Sequence, residues 1–164
     1  MFSASFINTH LVNRSSKTRI FTVQFILLLI LSIWVFGFIQ PMLGIIDNAL
    51  VNYFLKRTYS IVCHQESHKL ITHAGAEMLV CSRCAGIYIG SLLAGLSAIF
   101  FTFSRIKFKA LIISSIPLAS DVLFYVFGLY DYSKLISFST GMLLGITLYL
   151  FLMNEVENLF SNKN

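Results

Sequence analysis

The sequence predicts an all-α polytopic membrane protein: a four-transmembrane-helix bundle with an interfacial helical segment between helices one and two. Three observations point there. Hydrophobic residues make up 57% of the 164-residue chain and charged residues only 12%, where a soluble domain carries roughly 25% charged residues. Four runs of about twenty residues are free or almost free of charge, long enough to cross a hydrocarbon core of roughly 30 Å as helices. The basic residues fall in short segments that flank these runs.

Residues 1–19 are polar and end in Arg14, Lys17 and Arg19. Ile20–Ile39 follows without a charge. A cleaved signal peptide would have a shorter apolar region ending at a small-x-small site. This run ends Phe38-Ile39-Gln40-Pro41, so it is expected to be a retained helix over 20–39. The second run is Ala85–Ser104, predicting a helix over 85–104. The third is Ala110–Gly128, broken only by Asp121, and the fourth is Leu135–Met153. None shows the alternation of a strand. They make a single membrane domain over 20–153, with tails at 1–19 and 154–164.

The net charge of +5 has a topological reading, because basic residues gather in cytoplasmic loops. A cytoplasmic N-terminus and four crossings put Arg14, Lys17 and Arg19 on the same side as Arg105, Lys107 and Lys109. Both tails are then cytoplasmic and segment 41–84 is extracytoplasmic, in a multi-pass protein of the cell membrane. The lipid bilayer is the expected partner. The cationic residues form no single basic face, which argues against nucleic acid. No protein partner is named by the sequence.

Segment 41–84 opens with Leu43–Val62, too charged for a fifth crossing because Asp47, Lys56 and Arg57 would enter the bilayer, at roughly 2.5–3.5 kcal/mol each. Ile45, Ile46, Ala49, Leu50, Tyr53 and Phe54 recur at helical spacing, predicting an amphipathic helix lying in the interface. It either anchors the segment or covers a site. Along the second membrane helix Gly86, Gly90, Ala94 and Ala98 recur every four residues, and Gly141 and Gly145 repeat the spacing on the fourth. Small-residue faces let helix backbones approach closely, so helices two and four are expected to pack through Gly86, Gly90, Ala94, Gly141 and Gly145. The same stripe could instead drive dimerisation.

All three cysteines and three of the four histidines fall between residues 63 and 84: Cys63-His64-Gln65-Glu66-Ser67-His68-Lys69, then His73, then Cys81-Ser82-Arg83-Cys84. A Cys-x-x-Cys pair presents two thiolates on one turn, the bite of a tetrahedral soft-metal site, with zinc as the default ion. Cys63 supplies a third ligand and His64 the first candidate for a fourth. Adjacent side chains diverge on regular backbone, so His64 needs an irregular turn; His68 and His73 stay open as alternatives. A second reading is thiol–disulfide chemistry. Cys81 and Cys84 open a helix whose dipole favours a thiolate, and Cys63 would be the shuttle cysteine. A third is three unconnected cysteines and solvated histidines in a membrane scaffold or assembly factor. A hydrolytic site with Glu66 or Glu77 lacks the His-Glu-x-x-His order.

Asp121 is the one acidic residue inside an expected span. Such residues face the bundle interior. Asp121 lies in the half of the third helix nearest the cysteines, with Pro117 one turn earlier, and Arg83 or a nearby serine is its expected partner.

These residues resemble a family of predicted membrane proteins of bacteria and archaea, domain of unknown function 2085. The matching residues are Cys63-His64-Gln65, then Cys81-Ser82-Arg83-Cys84-Ala85-Gly86-Ile87-Tyr88-Ile89-Gly90, Pro117 with Asp121, and Thr140-Gly141. The resemblance covers roughly residues 59–145. It implies a bacterial-type membrane protein with a shared polar site, to which Gln65, Arg83, Tyr88 and Asp121 belong by their match to the pattern and for which His68 is a further candidate read from the residues; it implies no activity. Two positions depart from the family pattern. His68-Lys69-Leu70 stands where Glu-Arg-Ser is common, and Ser137 stands where Arg is common three residues before Thr-Gly. Arginines that bind an anion at those positions would be missing here.

Overall fold

The computed structural model describes residues 3–45, 48–73, 75–101 and 106–161, excluding the side chains of 3–17, His73, Phe160 and Ser161. Ile46, Asp47, Arg105 and Lys163 lie outside the described residues.

Four long apolar helices carry the expected crossings. They are α1 (Ser3–Leu43), α3 (Ser82–Phe100), α4 (Phe108–Val126) and α5 (Lys134–Ser161). The segments long and apolar enough to span are Thr18–Leu43, Ser82–Phe100, Phe108–Val126 and Lys134–Leu159. The shortest of them is about 28 Å long at 1.5 Å per residue, matching the hydrocarbon core. Large apolar side chains point outward: Phe21, Ile30 and Ile33 of α1 and Ile113 and Ile116 of α4 are more than half exposed. A face of that kind suits lipid, not water.

Several boundaries differ from the sequence expectation, including those of α3 and α4, which begin two or three residues earlier than expected. The first membrane helix runs past Ile39 to Leu43, and Pro41 sits in its last turn. It stops where Gly44 takes a left-handed φ of 61°, a conformation that ends helices and costs glycine no Cβ clash. At the far end, α5 continues past Met153 to Ser161, because leaving an apolar run does not end a helix when no Gly or Pro follows. On the N-terminal side, the helix of the first span already begins at Ser3.

The segment between α1 and α3 carries the expected amphipathic helix and, after it, a short antiparallel hairpin. α2 (Ala49–Tyr59) is the amphipathic helix, capped by Asn48, whose side chain accepts from the Leu50 N–H. Leu50, Tyr53 and Phe54 turn outward, as an interfacial helix requires. Tyr59 is buried and donates to the Trp34 carbonyl at 2.7 Å, tying α2 to α1; burial pushes its pKa up to about 12. A single 3-10 turn, Ser67–Lys69, then leads into an antiparallel hairpin, β1 (Leu70–His73) with β2 (Ala76–Cys81). Gly75 has φ 83°, a tight-turn conformation that favours glycine. Met78 and Val80 are buried in the core, while Glu77 is exposed and Leu79 only partly buried. That period of two holds the hairpin across the end of the bundle.

Helices α3 and α5 meet through the small residues expected of them. A Cβ on Gly86 or Gly90 would overlap backbone of Phe138 or Met142, and one on Gly141 or Gly145 would overlap the carbonyl of Arg83 or Ile87. Ser91 Oγ donates to the Gly145 carbonyl at 3.0 Å, and Ala94 is buried beside Tyr149 and Leu150. α4 joins the far side of α5, where Ser114 and Thr147 hydroxyls lie 2.6 Å apart. The core at the hairpin end gathers Val35 and Phe38 of α1, Tyr59, Cys63, Met78, Val80 and Ala85.

Candidate metal centre and the polar site beside it

The hairpin delivers the cysteines to one point. Cys81 ends β2 and is the N-cap of α3, with extended backbone at φ −66° and ψ 158°, and Cys84 follows one turn into the helix. N-cap and N3 side chains face each other at a helix start, which accounts for the proximity of this Cys-x-x-Cys pair. Cys63 arrives from the turn after α2. Its N–H donates to the Tyr59 carbonyl at 3.0 Å, and its sulfur accepts the Cys81 N–H at 3.1 Å. All three sulfurs lie within 4.8 Å of one another, and all three thiols are free. Cys63 is buried, the other two half-buried.

Hydrogen bonds from the thiols of Cys81 and Cys84, assisted by backbone N–H groups, hold the Cys63 thiol well below the usual thiol range despite its burial. The Cys81 thiol is pushed up, chiefly by its hydrogen bond to Cys63.

Gln65 holds this loop in place. It sits at a left-handed φ of 50°, and its amide donates to the carbonyls of Lys56 at 3.2 Å and Leu79 at 2.8 Å. The side chain fastens the Cys63 loop to α2 and to β2. The Gln65 side chain thus acts by positioning, while its backbone contributes a hydrogen bond to the Cys63 sulfur. Tyr88 stands one turn beyond Cys84 and packs with Trp34 and Phe38, ring centroids 6.1 and 6.0 Å away.

The histidines are placed differently. His64 is exposed beside Cys63. His68 turns toward α4, its Nε2 3.1 Å from the Tyr125 hydroxyl and its ring edge-on to Tyr132. His73 lies in β1 with its side chain outside the described set. Among the described residues, no histidine nitrogen or carboxylate joins the three sulfurs.

A second polar cluster lies next to the first along α3. Arg83 donates to Asp121 Oδ2 at 2.5 Å, the pairing expected from sequence. Ser137 joins it, donating to the same oxygen at 2.8 Å and lying 3.4 Å from the Arg83 guanidinium. Tyr130 donates to Asp121 Oδ1. The Asp121 side chain is 2% exposed and that of Arg83 20%, so three donors surround a carboxylate with almost no access to water. Tyr132 bridges the two clusters. Its hydroxyl is 2.7 Å from Ser82 Oγ, and its ring lies 6.0 Å from the Arg83 guanidinium carbon and 5.9 Å from Lys69 Nζ.

Tyr125, Tyr130 and Tyr132 did not stand out in the sequence. The available signal was three tyrosines around the turn between α4 and α5, where amphipathic rings favour the membrane interface.

Comparison with known proteins agrees with the motif. A family model described as predicted membrane protein (DUF2085) matches residues 63–151. An uncharacterised protein of Methanocaldococcus jannaschii is 32% identical over 108 residues, covering 63% of this chain and 69% of its own length. An uncharacterised protein of Methanothermobacter thermautotrophicus is 30% identical over 94 residues, 55% of this chain and 83% of its own. Both organisms are archaea, so the bacterial setting drawn from the resemblance is not supported. No solved structure matches the chain.

Proposed function

We propose, on the premise that the chain belongs to the DUF2085 family of predicted membrane proteins, that its cysteine cluster is a metal site. The observation that carries this reading is the convergence of Cys63, Cys81 and Cys84 from a loop, a strand end and a helix start, with all sulfurs within 4.8 Å. Tetrahedral Zn–S bonds of about 2.3 Å put neighbouring sulfurs roughly 3.8 Å apart, so the thiols need only draw together slightly. Thiolate ligands favour zinc among the common divalent ions. His64, exposed next to Cys63 and on the irregular turn before the left-handed Gln65, is the proposed fourth ligand.

The role is structural. The ion would pin the Cys63 loop and the hairpin to the first turn of α3, above the Arg83–Asp121 pair. With both termini cytoplasmic in the cell membrane, this end of the bundle is extracytoplasmic.

Metal analysis of the full chain, purified in detergent without chelators, tests the reading. About one equivalent of zinc is expected, falling below a tenth in Cys63→Ser and Cys84→Ser variants that keep their helical content. Wild-type protein without metal would overturn it. If thiol counting then found a Cys81–Cys84 disulfide, thiol–disulfide exchange would take its place, a substrate dithiol being oxidised to its disulfide as the Cys81–Cys84 disulfide is reduced to two thiols. Free thiols and no metal would leave a membrane scaffold or assembly factor.

A further inference from the structure

Beside Asp121, α4, α5 and their connection line an open groove of about 520 Å³. That volume lies in the range of small-molecule sites. Its walls are mostly apolar, from Pro117, Phe124, Leu129 and Ile136. Phe124, Leu129 and Ile136 are each at least half exposed, so the cavity opens sideways, toward the lipid, between the two helices.

Four polar side chains also line it: Ser120, Asp121, Tyr130 and Thr140. Each hydroxyl has one proton to give, and each proton is already committed. Ser120 donates to the Pro117 carbonyl at 2.9 Å. Thr140 donates to the Ile136 carbonyl at 3.0 Å. Tyr130 donates to the Asp121 carboxylate. What remains for a ligand is lone pairs on the hydroxyl oxygens, because the buried Asp121 carboxylate is already taken by Arg83, Ser137 and Tyr130. The positive charge that balances Asp121 comes from Arg83, which does not line the cavity. The interior therefore offers acceptors in an apolar surround and no free donor. An acceptor-only head group, such as a ketone, an ester or an oxidised quinone, finds no partner there.

We infer that this cavity binds a neutral membrane-soluble amphiphile whose head group is a hydroxyl, with its hydrocarbon body lying between α4 and α5. Because the Arg83–Asp121 pair is already neutral, an uncharged donor fits it better than an ammonium. The site is independent of the cysteine cluster and of any metal there.

The test is photo-crosslinking of the full chain in lipid nanodiscs with a diazirine-bearing long-chain alcohol, compared with its methyl ether. The ether keeps the chain and the oxygen but lacks the donor. The alcohol is expected to label peptides within residues 117–140 saturably and to be displaced by unmodified alcohol. The ether should bind about tenfold more weakly, the upper end of what one hydrogen bond contributes. Thr140→Val keeps the side-chain shape and removes an acceptor, so it should narrow the alcohol–ether gap; Ile136→Trp, which fills the cavity, should abolish labelling with helical content unchanged. Equal labelling by alcohol and ether, or non-saturable labelling spread along the bundle, would overturn the inference and leave the cavity filled by bulk lipid chains.

Discussion

Removing both members of the Arg83–Asp121 pair is expected to cost well short of the sum of the two single losses, and those single losses should be unequal. Asp121→Leu leaves the Arg83 guanidinium, whose side chain is only 20% exposed, without its counter-charge. Breaking a buried pair in this way costs about 3–5 kcal/mol. Arg83→Met leaves Asp121 with donors from Tyr130 and Ser137. A carboxyl can also take up a proton and become neutral, which a guanidinium does not do. That single change should cost about 1–3 kcal/mol. In the double variant no charge is stranded and two apolar side chains face each other. Its cost should fall well short of the sum, with a coupling of about 2–3 kcal/mol. The assay is equilibrium unfolding in mixed micelles titrated with a denaturing detergent. The fluorescence of Trp34, the one tryptophan, reports the core where it packs with Tyr59 and Tyr88. Additivity within about 0.5 kcal/mol would refute the reasoning, since it would mean the two charges do not meet in the folded bundle.

Other expectations rest on separate contacts. Gly86→Ala or Gly145→Ala drives a methyl into the backbone of the partner helix and should destabilise the bundle by about 1–3 kcal/mol in the same assay; neutral effects would mean α3 and α5 are not in backbone contact. Gln65→Ala releases the Cys63 loop from Lys56 and Leu79. It should weaken zinc binding by about 10–100-fold in competition with a chromophoric chelator, with the three thiols still countable. The exposed Glu66–Lys69 pair predicts a pH window. The hydrogen bond from Lys69 holds the Glu66 carboxyl below the usual glutamate range, and the same contact raises the Lys69 ammonium. The Glu66 contribution is complete above the ordinary glutamate pKa and is lost as pH falls through the depressed one. The Lys69 contribution is complete below the ordinary lysine pKa and is lost as pH rises through the raised one. Amide exchange at residues 67–69 should therefore quicken at both extremes, and Lys69→Met should shift the acid limb to higher pH.

The four crossings could be read from sequence because lipid imposes one simple demand, about twenty residues without charge, and α1, α3, α4 and α5 meet it. The contact of α3 with α5 was legible for a similar reason: glycine at Gly86, Gly90, Gly141 and Gly145 is the plainest mark of close backbone approach. Asp121 pointed to Arg83 because a carboxylate in an apolar run needs a partner. The hairpin was missed. Its strands are four and six residues long, and the Met78–Val80 alternation is too brief to separate from its apolar surroundings. Only Ala74-Gly75 hinted at a turn. Ser137 entered the sequence reading as a lost arginine, whereas in the structure its hydroxyl supplies one of the donors to Asp121. Tyr130 and Tyr132 reach the site from a short connection after Gly128, whose φ is 68°, and their targets are set by that tertiary turn alone. The cysteine spacing indicated shared chemistry, but the N-cap relation between Cys81 and Cys84 depends on where β2 ends and α3 begins.

The central claim is that three sulfurs from three elements hold one ion. X-ray absorption at the zinc edge of the purified full chain measures the sulfurs around the metal directly. The account predicts three sulfurs at about 2.3 Å with one lighter ligand at roughly 2.0–2.1 Å, and loss of that zinc signal in Cys63→Ser. A first shell of nitrogen and oxygen alone, or one unchanged by Cys63→Ser, would contradict it.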